Sequence, residues 1–337
     1  MSQPKRKTRV AWLIALLLLL LLAWAAVTQP FVTPRLFTPP AVDAAKLEAH
    51  VRMLSQTHYP RSFDQPEKLE AVADYIHAQL AQTGARVEDQ FYKVEGARVR
   101  NVVARFGPAD GPLLVIGAHY DSHGAAVEGA KNPKGFAPET HTPGADDNAS
   151  GVAGLLELAR LLAASPPMSP VELVAYTLEE PPHFRTANMG SAHHAAGLRA
   201  AQRDVRLMIA LEMIGTFSDV AGSQRYPLPG MGLVYPTQGN FVAVIGRVRD
   251  GLATRELKAA MAGATDLPVV SMNAPRILQG VDFSDHLSYW HEGYPALMVT
   301  DTAFQRNDQY HQAGDTADKL DYKRMAKVVQ AVFAATR

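Results

Sequence analysis

Residues 150–180 read SGVAGLLELARLLAASPPMSPVELVAYTLEE. Ser150 to Ala164 has the apolar spacing of a buried helix, with Ser150 placed to cap it and Pro166 beyond its end. Val171 to Thr177 is a short apolar run of strand length, and it ends on Glu179 and Glu180 followed by two prolines. Idle charge rarely closes a buried strand. Working outward, 99–106, 113–117, 207–213, 241–245 and 296–299 read as further strands. Pro66 to Leu80 carries Leu69, Val72, Ile76 and Leu80 on one face and stops at Gly84, so it reads as an amphipathic helix. Helices are also expected at 190–203, 253–264 and 318–335. This alternation predicts an α/β domain of three layers, helices on both faces of a mostly parallel, mixed central sheet. Sites in such domains form at the carboxyl ends of the strands.

Chemistry-bearing residues fall at those ends. Strand 113–117 runs into His119-Tyr120-Asp121-Ser122. Pro143-Gly144-Ala145-Asp146-Asp147-Asn148 opens the helix, and Glu212 ends strand 207–213. Tyr310, His311 and Asp315 lie near the C-terminus, with Ser284-Asp285-His286 before them. The chain has no cysteine, so disulfides, thiol catalysis and thiolate-held metal are excluded. Histidines and carboxylates at successive strand ends make a ligand set suited to zinc, and their number suggests two ions. His123, His141, His183 and His291 fall in loops able to line the same pocket.

In this order HYDS, GADDNASG, EE, EMIG and YH-x-x-x-D, the chain resembles the family 28 zinc metallopeptidases, di-zinc aminopeptidases to which glutaminyl cyclases are related. The stretch EEPPHFRTANMGS and Ser284-Asp285-His286-x-x-x-Trp290 resemble its exported bacterial members. The resemblance covers about 58–325. It implies that Asp146 bridges two zinc ions, that His119 and Glu212 complete one, and that Glu180 and His311 complete the other. It implies Glu179 as general base and Asp121 as the partner of the other His119 ring N–H. The Asp146–Asp147 peptide is then the expected cis bond. Glu212 departs from the aspartate of the best-known members, and 124–142 looks like an insertion at the pocket edge. Tyr310, next to His311, is either an oxyanion donor or a packing residue. Asp315 is either a carboxylate behind the ligands or a cap of the last helix, and Asp285 is expected in the pocket wall or behind the ligands.

The activity implied is removal of N-terminal residues from peptides with a free N-terminus. The alternative is a glutaminyl-peptide cyclase with one zinc. A binding module on an inactive peptidase scaffold would be expected to lack one of the six metal and base residues, and none is missing.

At the N-terminus, a basic flank at 1–9 precedes the uncharged apolar run 10–27 and a spacer at 28–41 holding Pro30, Pro34, Pro39 and Pro40. That order predicts one transmembrane helix in the inner membrane, with the catalytic domain at 42–337 on the periplasmic or extracellular side. Cleavage after Ala23-Trp24-Ala25, giving a secreted enzyme, is the alternative. Beyond residue 9 the chain holds 29 basic and 33 acidic residues, which excludes a nucleic-acid partner bound through a basic face.

Overall fold

The computed structural model describes residues 4–124 and 141–337, so most of the expected pocket-edge loop lies outside the described residues. Among these residues eight strands form one sheet in the order β1-β2-β4-β3-β5-β8-β6-β7. They are β1 (Arg86–Val94), β2 (Ala97–Phe106), β3 (Leu113–His119), β4 (Val171–Tyr176), β5 (Val205–Glu212), β6 (Val242–Gly246), β7 (Val269–Asn273) and β8 (Ala296–Thr300). The central strands β4, β3, β5 and β8 run parallel, whereas β1 against β2, β2 against β4 and β6 against β8 are antiparallel. The sheet is mixed, as the alternation predicts.

Strand periodicity sorts the side chains into two cores. Leu114 and Ile116 of β3 join one cluster with Leu173, Ile209, Leu211 and Val299, while Leu113 and Val115 join another with Val174, Met208 and Met298. The first face is covered by α2 (Ala44–Arg52), α3 (Pro66–Ala81), α4 (Gly151–Ala164), α6 (Gly251–Ala262) and α8 (Tyr322–Ala334). The second is covered by α5 (Gly190–Ala200) and α7 (His286–His291). β1, β7, α2 and α7 were not among the expected elements. β1 alternates exposed and half-buried residues at the edge of the sheet, and β7 has only five residues.

Ser150 does not cap α4. Its hydroxyl donates to the Asp146 carbonyl (2.7 Å), and the Asn148 side chain accepts from Gly151 N (3.1 Å). At the last helix Asp321, and not Asp315, accepts from Arg324 N (2.9 Å).

A further helix, α1 (Pro4–Thr28), stands out from this body. Its stretch Arg9–Thr28 is long and apolar enough to cross a membrane, a property that signal sequences share. Among the described residues, its C-terminal end is held against the domain. Lys258 donates to the carbonyls of Thr28 (3.0 Å) and Gln29 (2.9 Å), satisfying groups that a helix end leaves free. Ser271 also donates to Thr28 O, and Gln29 donates to Gly251 O (2.6 Å). The proline spacer then lies along the domain, with Arg35 N donating to Ala259 O and Phe37 N to Gly263 O. A Cβ at residue 263 would stand 2.0 Å from Arg35 O, so only glycine permits this approach.

Candidate metal centre

β3 lies between β4 and β5, so the chain leaves β3 toward one side and returns on the other. This reversal opens a crevice at the carboxyl ends, where ligands bind in such sheets. His119 ends β3, Glu212 ends β5, and Glu179 and Glu180 follow β4. The turn into α4 and the segment around 307–315 bring in the remaining groups.

Two buried clusters form there, His119 with Asp147 and Glu212, and His123 with Glu180 and His311. His119 Nε2 lies 3.4 Å from Asp147 Oδ1 and 3.4 Å from Glu212 Oε2. His311 Nε2 lies 3.1 Å from Asp147 Oδ2 and 3.2 Å from Glu180 Oε2. Asp147 therefore offers one oxygen to each histidine. This corrects the expectation for Asp146, whose carboxylate is occupied elsewhere. It accepts from Gly215 N (2.9 Å), the Thr216 hydroxyl and Asn307 Nδ2 (3.2 Å). The cis peptide is likewise one residue later than expected, between Asp147 and Asn148.

Carboxylates and one arginine fix the backbone around these groups. Asp121 accepts from Glu179 N (3.1 Å) and Glu180 N (3.0 Å), and its side chain and carbonyl lie 3.5 and 3.2 Å from His119 Nδ1. That arrangement leaves His119 Nε2 as the free lone pair. Asp315 accepts from the amides of Asp146 and Asp147, so it holds the turn beneath the shared carboxylate. Leu178, Met213 and His311 all have φ near +50°, costing about 1–3 kcal/mol each. The surroundings over-determine two of these directly: Asp121 grips the two amides after Leu178, and Asn148 Oδ1 accepts from Met213 N. Gly144 also has positive φ, and a Cβ there would meet Asp147 O at 2.1 Å.

Arg61, fully buried, donates to the carbonyls of Tyr120 (2.9 Å), Pro143 (2.5 Å) and Gly144 (2.6 Å). It ties the His119 loop to the Asp147 turn. Burial pulls its guanidinium down to about 10, partly offset by Asp315 and Asp147, so it stays charged at neutral pH. Sequence reading passed over it because no ligand motif contains it.

The electrostatics call for cations. Asp121, Asp147, Glu179, Glu180 and Glu212 are buried together, and His119 Nε2, His123 Nε2, Asp147 Oδ2 and Glu180 Oε1 have no hydrogen-bond partner among the described residues. Burying such groups unpaired is costly. Burial pushes Glu179 well above the usual carboxylate range, with Glu212 and Glu180 adding to the rise and His119 opposing it. Burial alone would depress His119, but Glu179 and Glu212 reverse this and raise it. The acidic surroundings thus favour positive charge at this position. Imidazole nitrogens and carboxylate oxygens converging without protons of their own fit zinc.

Around this core, Ser284 donates to Glu212 Oε2 (2.7 Å) and so fixes the orientation of that carboxylate. Asp285 is buried close behind, pushed up to about 7 by burial with Glu212 and Asp121 adding to it. His286 turns away, its Nε2 2.8 Å from Val281 O. Tyr310 stacks on His311 with ring centroids 3.8 Å apart. Together with Glu212 it lines a mainly apolar cavity that Phe241, Phe283, Met298 and Phe304 also line. His123, expected only as a loop residue able to line the pocket, falls in a cluster with Glu180 and His311; its spacing four residues after His119 was a readable signal.

The family model described as "Peptidase family M28" matches residues 101–336. The chain is a member of that family. M28 peptidases are zinc-dependent hydrolases, and the two clusters lie inside the matched region. This M28 peptidase is 50% identical over 325 residues to "Uncharacterized protein YfbL" of Escherichia coli, covering 96% of this chain and 97% of that one. It is 26% identical to "Leucine aminopeptidase 1" of Grosmannia clavigera across 69% of this chain, spanning about half (51%) of that protein. Among solved structures, the Legionella pneumophila LapA aminopeptidase aligns with TM-score 0.66 at 19% identity, covering 88% of this chain and 69% of that one. A Bacteroides thetaiotaomicron glutaminyl cyclase aligns with TM-score 0.64 at 19% identity, covering 88% and 98%. At that identity the likeness is one of fold.

Proposed function

We propose that this M28 peptidase is an aminopeptidase holding two zinc ions, one through His119 and Glu212, the other through Glu180 and His311, with Asp147 shared between them. The position of Glu179 carries the reading. It belongs to neither cluster, yet its Oε2 lies 3.9 Å from His119 Nε2. A buried carboxylate beside the ligands but not among them is suited to move a proton.

Zinc held by these residues would supply an acidified water and polarise the scissile carbonyl. Glu179 would take the proton of the attacking water and return it to the leaving amine. Tyr310, whose phenol burial and the charges of Asp147 and Glu180 keep protonated, donates to the developing oxyanion. Asp121 keeps the His119 ring in register, and Ser284 does the same for Glu212.

The apolar cavity beside Glu212 and Tyr310 takes the first side chain of the substrate. Transfer of a leucine-sized side chain into such a cavity contributes roughly 1.5–3 kcal/mol, worth about ten- to a hundredfold in kcat/KM. Leucyl or methionyl amides are therefore expected to exceed glycyl and aspartyl amides by at least about tenfold. A flat or inverted profile would remove the cavity from the argument. The same assay on an N-terminal-Gln peptide, followed by mass spectrometry, should show loss of the first residue. Loss of ammonia from the intact peptide would identify the cyclase instead.

We also propose that Arg9–Thr28 anchors the chain in the inner membrane, with the domain on the far side from the basic flank. Full-length protein should remain in the membrane pellet after alkaline carbonate washing, and its domain should be open to protease in spheroplasts. A soluble product starting near Ala26 would make the segment a signal peptide.

A further inference from the structure

We infer that His123 is a third nitrogen ligand of the metal centre, making its two positions unequal. His123, Glu180, His311 and Asp147 then close one position completely, while His119, Glu212 and Asp147 leave the other with three protein ligands. The inference rests on the zinc-peptidase reading of this centre and adds a residue to it.

Geometry carries it. Ligand atoms of His123, Glu180 and His311 lie within 4.8 Å of one another, all three residues buried. The His123 ring sits against that of His311 with centroids 4.2 Å apart. Its Nδ1 lies 2.8 Å from the carbonyl of Gly124. A carbonyl can only accept, so Nδ1 carries the proton and Nε2 keeps its lone pair. That Nε2 is buried and, among the described residues, has no hydrogen-bond partner. An imidazole acceptor so placed, among carboxylates that cannot donate when ionised, is satisfied by a cation.

The scaffold holds His123 there. Thr142 N (3.1 Å) and the Thr142 hydroxyl (3.2 Å) both donate to its carbonyl. The hydroxyl of Ser122 donates back to Thr142 O (3.1 Å), so the two strands of chain are clipped together at the residue itself. The ligand count also agrees with the placement of the base. Zinc sites with four protein ligands are closed and structural, whereas those with three keep a position for chemistry. Glu179 lies beside His119, on the three-ligand side.

The absence of cysteine from the chain makes a direct test available. His123→Cys, loaded with Co²⁺ as full-length protein, is expected to show a thiolate-to-cobalt charge-transfer band in the near ultraviolet, because the sulfur takes the histidine's place. Wild type supplies the baseline without any thiol. In parallel, zinc is titrated against a colorimetric chelator. Wild type should release two ions, and His123→Ala should hold one of them at least about a hundredfold more weakly, beyond what loss of an outer hydrogen-bond partner costs. The other ion should be unaffected, and His123→Cys should recover most of the lost affinity.

A His123→Cys protein that binds two cobalt ions without a charge-transfer band, together with unchanged zinc affinities in His123→Ala, would overturn the inference while leaving the di-zinc reading intact. Wild type binding no zinc would overturn both. Should His123→Ala fail to fold, the cysteine variant and its spectrum decide alone.

Discussion

Glu179→Gln is expected to lose about 10²–10⁴-fold in turnover while retaining both zinc ions. The amide matches the carboxylate in size but cannot accept the proton of the attacking water. Glu180→Gln is expected to behave differently, because its carboxylate lies 3.2 Å from His311 Nε2 and belongs to a ligand cluster; it should lose metal along with rate. The metal-free proteins add a second readout. Burial raises the Glu179 carboxyl above its ordinary 4.5, so its ionisation opposes folding as pH climbs past that value. Removing the ionisable group should leave metal-free Glu179→Gln at least as stable as metal-free wild type near neutral pH. Zinc content, thermal unfolding and hydrolysis of leucine amide are measured on both variants. Near-wild-type activity in Glu179→Gln, or zinc lost together with activity, removes Glu179 from the role of base.

The second large effect separates the two aspartates. Asp147→Asn should weaken both zinc ions at once, each by at least about a hundredfold, and abolish activity, because one carboxylate serves both histidines. Asp146→Asn should keep both ions. Its cost is structural: the new amide NH₂ faces donors at Thr216 and Asn307, and leaving these unmatched costs about 1–3 kcal/mol of stability. Elemental analysis and unfolding midpoints read the difference. Zinc lost from the Asp146 variant and kept in the Asp147 variant would restore the order that the motif first suggested.

That confusion shows where sequence stops being legible. The central strands announced themselves because both faces of β3, β4 and β5 are buried, which yields unbroken apolar runs. β1 hid because an edge strand with one half-wet face looks like any polar segment. The ligand residue types and their strand-end positions were readable from chemistry. Which of two adjacent aspartates faces the crevice was not, since the backbone of the turn decides it, and that is set by Gly144, Asn148 and the distant Asp315. Arg61 was invisible for a similar reason: three of its partners are carbonyls 59 to 83 residues away, and carbonyls leave no mark in a sequence. His123 left a mark that no motif claimed.

The grip on the end of α1 has a mechanical meaning. A catalytic domain on a loose tether sweeps out a volume above a bilayer and meets substrates at many heights and tilts. Here the last turn of the helix is bolted to α6 and β7 through Gly251, Lys258 and Ser271, and the following prolines run flat along the body. If α1 spans a membrane as proposed, this grip would couple the domain to the helix, so that rotation about the helix turns the whole enzyme and the crevice is held at a set height and inclination over the lipid. Reach is given up for aim.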